Sequence, residues 1–313
     1  MGKLFVGVDL GGTKIYTALA DETGTILKEI IVGTEANKGP EQIVEKIKSS
    51  IRNVLEDINI DDIKAIGIGS PGPLDIKNGL IAEPANLPFK NYNIVKEIKD
   101  EFNVPVYLDN DANVATLAEF KFGAGVNTEN MIYVTASTGV GGGAILNGKI
   151  YRGSTANALE VGHTTISTTG RRCGCGNRGC VEAMTSGTAI KKAAIEALES
   201  RVETSLREYE NISAKEVFIE AEKGDKVANE ILSEALSYLG AAISNYANIF
   251  DPDMIVIGGG ITGGGKIVFD KINDEMKKRC LGTILNNCKI EKAKLEGQAG
   301  VLGAIALAMM ETK

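Results

Sequence analysis

One local layout occurs twice in this chain, and the repetition constrains the fold more than any other feature. Leu4 to Leu10 is a short apolar strand that runs into Asp9-Leu10-Gly11-Gly12-Thr13-Lys14. Ile15 to Leu19 reads as a second strand, Asp21-Glu22-Thr23-Gly24 as a turn, and Ile26 to Val32 as a third strand. The order returns later: Met131 to Ala136 as a strand, then Ser137-Thr138-Gly139-Val140-Gly141-Gly142-Gly143, a strand over Ala144 to Leu146, the hairpin turn Asn147-Gly148, and a returning strand over Lys149 to Arg152. Two such units predict a duplicated fold with a phosphate-binding loop in each half. A glycine pair lets backbone N–H groups approach a phosphate closely. Thr13 can add a hydroxyl and Lys14 a cation, and Asp9 could hold a metal-bound water beside that phosphate. The same residues also fit plain hairpins whose glycines serve only the turn.

Between the two hairpins, strands alternate with helices. Pro40 to Asp57 is expected as an amphipathic helix, with Ile43, Ile47, Ile51, Val54 and Ile58 at helical spacing and Pro40 in its first turn. Ala65 to Gly69 reads as a buried strand, and Pro84-Ala85-Asn86-Leu87-Pro88 as a rigid loop presenting one amide. A helix over Ile94 to Phe102 leads to a strand over Val104 to Leu108, which ends in Asp109-Asn110-Asp111-Ala112-Asn113, and a helix follows to about Phe122. This alternation predicts an α/β sheet, and in such sheets ligands bind beyond the carboxyl ends of the strands, where this polar run lies. At 313 residues the chain is long enough for two domains. Its net charge of −7 argues against a nucleic-acid surface. No apolar run approaches the roughly 20 residues needed to cross a bilayer.

The segment from Glu160 to Glu182 carries a separate signal. It opens Glu160-Val161-Gly162-His163 and closes Cys173-Gly174-Cys175-Gly176-Asn177-Arg178-Gly179-Cys180-Val181-Glu182. His163 is the chain's one histidine, and three of its five cysteines lie here. One imidazole and three thiolates complete the four-ligand set of a structural zinc and leave no open position for catalysis. The alternative is a cluster of buried thiols beside an ordinary core histidine. A disulfide is not expected, because the sequence shows no signal peptide and a reducing compartment disfavours the bond. Two glutamates bracket the ligands, so a zinc at His163, Cys173, Cys175 and Cys180 would fix two carboxylates.

After this segment helices dominate: Thr188 to Glu199, Ala214 to Lys223, and a long one over Asp225 to Phe250. A strand over Met254 to Ile257 opens on the run Gly258 to Lys266. Gly258, Gly260 and Gly263 match a dinucleotide fingerprint, but too late in the chain and without a ribose-binding acid. Gly260 to Lys266 nearly spells a P-loop, yet Ile267 stands where the magnesium-binding hydroxyl is required. The better use is a backbone wall against a nucleotide. A further helix follows, then a strand near Lys289 to Ala293. The final helix, Ala299 to Met310, is small and apolar throughout and should be buried.

Taken together, Asp9 to Lys14, Asp109 to Asn113, Ser137 to Gly143, Glu160 to His163 and Cys173 to Glu182 resemble the ROK family of bacterial sugar kinases and repressors, most closely its ATP-dependent glucokinases. The resemblance implies an actin-like ATPase fold (hexokinase-type, ribonuclease-H-like), duplicated, with two α/β domains around a cleft. A smaller domain is expected over 1–116 plus 299–313, and a larger one with the zinc segment over 117–298. The implied reaction is ATP-dependent phosphorylation of a hexose, glucose to glucose 6-phosphate first. Kinases for N-acetylmannosamine, N-acetylglucosamine, allose or fructose are the alternative. A sugar-responsive regulator is less expected, since only eight residues precede Asp9.

Sequence spacing leaves Asp109 and Asp111 as rival general bases, or as caps of the next helix; the resemblance selects Asp111. It likewise implies a hexose clamp of Asn86, Asn110, Asp111, Glu160, His163 and Glu182. His163 would bind zinc through one ring nitrogen and donate to a sugar hydroxyl through the other. Gly11, Gly12, Thr13, Lys14, Thr138 and Gly139 would surround the ATP phosphates, with Gly258, Gly259 and Gly260 nearer the nucleoside. Mg²⁺ would arrive with ATP, held partly by water near Asp9. The zinc is expected to organise the sugar site without touching the transferred phosphate. One departure is visible: many family members carry a Gly-Ala-Ala-Gly-Glu-like run, whereas Asn157-Ala158-Leu159 precedes Glu160 here, a change bearing on the sugar-facing loop. The protein is expected to be cytoplasmic and a homodimer or higher homo-oligomer, without nucleic-acid or membrane partners.

Overall fold

In the computed structural model, residues 2–200 and 202–312 are described. The chain divides into two units: residues 1–127, 143–158 and 294–313, and residues 128–142 and 159–293.

The first unit begins with β1 (Leu4–Leu10), β2 (Lys14–Asp21) and β3 (Ile26–Gly33), an antiparallel meander. There follow α1 (Pro40–Val54), β4 (Ile63–Ser70), the short β5 (Leu74–Asp75) and β6 (Leu80–Ile81), α2 (Ile94–Phe102), β7 (Val106–Asn110) and α3 (Asp111–Phe122). The sheet order is β3-β2-β1-β4-β7, with β1, β4 and β7 parallel. One sheet face is filled by the apolar stripes of α1 and α2: Ile43, Ile47 and Ile51 together with Ile94 and Ile98 are all fully buried. Helix α1 stops at Val54, short of the expected Asp57, because Asp57 turns into the left-handed region at φ 69°. Ile58 therefore packs on the core from the loop.

The second unit repeats this plan. Its strands β8 (Met131–Ala136) and β9 (Val140–Leu146) are neighbours, and β10 (Lys149–Ile150) pairs with the far end of β9 in the first unit. The helices α4 (Val181–Thr185), α5 (Gly187–Glu199), α6 (Ala214–Glu222) and α7 (Lys226–Phe250) precede β11 (Met254–Gly258), α8 (Lys266–Arg279), α9 (Gly282–Asn287) and β12 (Lys289–Lys292). Strands β8, β11 and β12 run parallel, as β1, β4 and β7 do. The duplication expected from the two hairpins is thus present strand for strand. Gly141 to Gly143, expected in the turn, lie inside β9; the turn itself is Ser137 to Gly139, closed by the Ser137 N–H donating to the Gly139 carbonyl at 2.8 Å.

The last helix, α10 (Ala299–Glu311), belongs to the first unit and covers the second face of its sheet with Val301, Leu302, Ile305 and Ala308. The approach is backbone to backbone. A Cβ on Gly67 of β4 would lie 1.8 Å from the Ala304 carbonyl, and a Cβ on Gly303 would lie 1.8 Å from the Val114 carbonyl of α3, so neither position admits a side chain. The expected domain limit at residue 116 falls inside α3, which runs unbroken to Phe122 against α10.

The join between α3 and the segment entering α10 is made by one carboxylate. Glu119 is fully buried, and its Oε1 accepts the Lys294 and Leu295 N–H groups at 2.9 and 2.8 Å while Oε2 accepts the Ala124 N–H at 2.8 Å. Glu119→Gln would aim an amide N–H₂ at one of these donors. We expect a loss of about 1–3 kcal/mol in urea unfolding; an unchanged midpoint would show that the loop is held by other contacts.

Candidate active site

The candidate residues fall into two sets, one in each unit. In the first unit β7 runs two residues beyond the expected Leu108, so Asp109 and Asn110 are strand residues and Asp111 opens α3. Their roles separate at once. Asp109 is fully buried and both its oxygens are engaged: Oδ1 accepts the Asn110 N–H and the Asn113 side-chain amide, each at 2.8 Å, and Oδ2 pairs with Arg152 Nε at 2.7 Å. Asn110 caps α3, its Oδ1 accepting the Asn113 N–H at 2.7 Å. Asp111 accepts the Ala112 N–H through Oδ1 at 2.8 Å. Its carboxylate reaches solvent but is crowded by protein, and that burial raises its pKa above the usual carboxylate value.

Asp9 lies in the same electrostatic neighbourhood. Burial raises its pKa, Lys14 opposes the shift and Asp111 adds to it. The Asp9 carboxylate rests against the first turn of α10, where a Cβ on Gly300 would come within 2.4 Å of Oδ2. The Gly11–Lys14 turn is closed by the Gly11 N–H donating to the Lys14 carbonyl at 2.9 Å, and Thr13 and Lys14 are exposed at its tip. The loop of Asn86 packs on this turn, with Asn86 Cβ 3.1 Å from where a Cβ on Gly12 would stand. The first unit therefore gathers Asp9, Lys14 and Asp111 in one place, and Asn86 against the glycine turn.

In the second unit His163, Cys173, Cys175 and Cys180 present donor atoms all within 4.8 Å of one another. Cys173 Sγ lies 3.7 Å from His163 Nδ1, and Cys175 Sγ lies 3.7 Å from Cys180 Sγ. Zinc–sulfur bonds of about 2.3 Å in a tetrahedron place neighbouring donors about 3.8 Å apart, so the spacing fits zinc; it is far too long for a disulfide. Burial and the neighbouring thiols push Cys180 up to about 12, an unfavourable environment for thiolates that a divalent cation reverses. Nδ1 of His163 faces the cysteines, which leaves Nε2 for another partner.

Glu182 does something the sequence does not announce. Its Oε1 accepts from Cys173 Sγ at 3.8 Å, and its Oε2 accepts the Val140 N–H at 3.0 Å. One carboxylate thus joins the cysteine cluster to the Ser137–Gly139 turn. The start of α5 grips that turn too, with the Gly187 N–H donating to the Ser137 carbonyl at 2.7 Å and Thr188 Oγ1 to the Thr138 carbonyl at 2.8 Å. The Glu160–His163 turn is pinned from α7 by Tyr246, whose hydroxyl donates to the Val161 carbonyl at 2.8 Å. Glu160 itself is exposed. Leu159 before it takes φ 65°, a left-handed conformation that costs a branched residue about 1–2 kcal/mol and that glycine adopts freely.

A cavity of about 1140 Å³ opens beside the turn, with Thr138 at one end and Gly260, Ile261 and Gly263 to Ile267 forming a wall. Gly258 and Gly259 pack instead against Tyr133 and Ala136 of β8. Helix α6 lines the cavity too, with Lys215, Phe218 and Ile219. Sequence reasoning left this helix unassigned, because nothing in its spacing marks it as part of a site.

Two glycine-turn sheets of identical topology, one carrying an acid pair and the other a cavity and a His–Cys₃ cluster, define an actin-like ATPase fold of the hexokinase, ribonuclease-H-like type. The family model described as "ROK family" matches residues 5–311, and this chain belongs to the ROK family. It is similar to a glucokinase of Thermotoga maritima, 33% identical over 307 residues and 96% of each chain. It is also 30% identical to the xylose repressor of Caldicellulosiruptor bescii, over 98% of this chain and 78% of that one. Among solved structures, a ROK family glucokinase from Streptomyces griseus in complex with glucose and AMPPNP is 32% identical, with a TM-score of 0.77 over 98% of this chain and 99% of that one. No helix among the described residues is long and apolar enough to cross a membrane.

Proposed function

We propose that glucose is the sugar phosphorylated by this ATP-dependent sugar kinase, at its 6-hydroxyl, with Asp111 as the general base. The observation that carries the assignment of the base is the contrast within β7 and α3. Asp109 has both oxygens committed, one of them to a guanidinium, whereas the one hydrogen bond to the Asp111 carboxylate among the described residues goes to Oδ1, at the head of a helix. A raised pKa brings that carboxylate closer to the pH at which proton transfer is efficient.

In this reading the sugar oxygen attacks the γ-phosphorus in line, its proton passes to Asp111, and the bond to the ADP oxygen breaks. Asn110 and Asn86 offer amides to the sugar, and Glu160, His163 Nε2 and Glu182 Oε1 offer further hydrogen bonds. Lys14 and the N–H groups of the Gly11–Gly12 and Thr138–Gly139 turns face the phosphates, while the cavity between Gly260 and Phe218 takes the nucleoside. Mg²⁺ would enter with ATP near Asp9 and supply charge neutralisation. Zinc at His163, Cys173, Cys175 and Cys180 would act as a structural tie.

A different sugar is favoured by one observation: Leu159 places a bulky side chain where the family pattern carries glycine, next to Glu160. ADP release measured across glucose, mannose, allose, fructose, N-acetylglucosamine and N-acetylmannosamine decides the matter. Glucose is expected to give the highest kcat/KM; a higher value for an N-acetylhexosamine would reassign the substrate.

A further inference from the structure

We propose that Arg152 is a positioning residue for phosphoryl transfer, acting through Asp109 on the turn that carries Asn110 and Asp111. The inference rests on the reading of Asp111 as the base. Arg152 lies 43 residues from its partner, in the stretch that leaves β10, and belongs to the same unit as β7 and α3. Its Nε donates to Asp109 Oδ2 at 2.7 Å, and its terminal nitrogen reaches Glu311 at the end of α10 at 2.8 Å.

Asp109 is 0% exposed, and a carboxylate in such a place needs a compensating charge. Arg152 supplies that charge at one oxygen, and the other oxygen of Asp109 holds two groups of the site. It accepts the N–H of Asn110 and the side-chain amide of Asn113, whose backbone N–H is in turn taken by Asn110. The first turn of α3 is therefore held from the side chain and the main chain of one residue, Asn113, which is itself buried. Asp111 is the first residue of that turn. If the Arg152–Asp109 pair is lost, the carboxylate that holds the Asn113 amide is no longer anchored at its other oxygen, and the direction of the Asp111 carboxylate loosens. Displacements of about an ångström at a reacting group cost on the order of a hundredfold in rate. The Gly11–Lys14 turn shares none of these bonds, so the nucleotide side should be spared.

The test compares Arg152→Met, Arg152→Lys and the double variant Asp109→Asn/Arg152→Met, the last removing both charges so that no lone buried carboxylate remains to prevent folding. We expect kcat per folded chain to fall about 10- to 100-fold in Arg152→Met, with KM for ATP within about twofold of wild type. Lysine should restore at least a fivefold part of the loss, and the double variant should be no slower than Arg152→Met, because both changes remove the same tie. Wild-type kcat in folded Arg152→Met or in the double variant overturns the proposal. So does a rise in KM for ATP that parallels the loss of kcat, which would indicate general loosening of the unit. Asp111→Asn assayed alongside keeps the two ideas apart: turnover there would overturn the base assignment, while the kcat of the Arg152 variants still decides theirs.

Discussion

Asp111→Asn is expected to lower kcat by about 10²–10⁴-fold or more while leaving sugar and ATP binding within a few-fold of wild type. Asparagine keeps the shape of the side chain and its contact with the Ala112 N–H but cannot accept the sugar proton. The raised pKa of Asp111 gives a second expectation. Its folded-state pKa lies above the ordinary carboxylate value, so the active, ionised form is lost at a higher pH than for an exposed aspartate. The acid limb of the kcat profile should lie above that ordinary value and vanish in the variant. Equilibrium dialysis with labelled glucose supplies the binding half of the test. Near-normal turnover would move the proton acceptor to water, since Asp109 is held by Arg152 and two amide groups.

Cys175→Ser should empty the metal site and weaken both substrates. Metal analysis of the wild-type protein is expected to give about one zinc per chain, and of the variant near zero. From sequence, a loss confined to the sugar was the expectation, because Glu160 and Glu182 bracket the ligands. The bond from the Val140 N–H to Glu182 extends it, since the same carboxylate rests on the cysteine cluster and on the turn assigned to the phosphates. Outer partners of a metal site are typically worth about 10–100-fold. We therefore expect KM for the sugar to rise by that order and KM for ATP to rise by a smaller factor. Glu182→Gln, which keeps the metal ligands, should reproduce the ATP effect with zinc still bound. A zinc-free Cys175→Ser protein with both constants unchanged would remove the metal from any part in organising the site.

What could be read from sequence was whatever is local. The two glycine hairpins, the Asp9–Lys14 run and the His–Cys₃ set declare themselves because a few residue types with narrow chemical uses fall within short spans. Asp109 and Asp111 could not be told apart from spacing, because the answer depends on where β7 ends and α3 begins, and that boundary lay two residues beyond the expected one. Phe218 and Lys215 were invisible because a helix face acquires a role only when the chain brings a glycine segment beside it. Arg152 was invisible for a similar reason: an ordinary arginine gains its meaning from an aspartate far away in the chain. Leu159 is the reverse case, since its departure from the pattern the resemblance implies was plain in sequence, and the structure adds only that its backbone is left-handed.

The bare backbone contact between α10 and the sheet has a consequence for how the protein is made. Helix α10 follows residues 128–293 along the chain, yet it fills the face that Gly67 keeps open and meets α3 at Gly303. The first unit must therefore wait with one side of its sheet uncovered while residues 128–293, which contain a complete unit, are synthesised and free to fold. The sheet begun before the second unit is covered only after it. A nascent chain halted before residue 299 would hold its Asp111 turn on an open-faced sheet until α10 arrives.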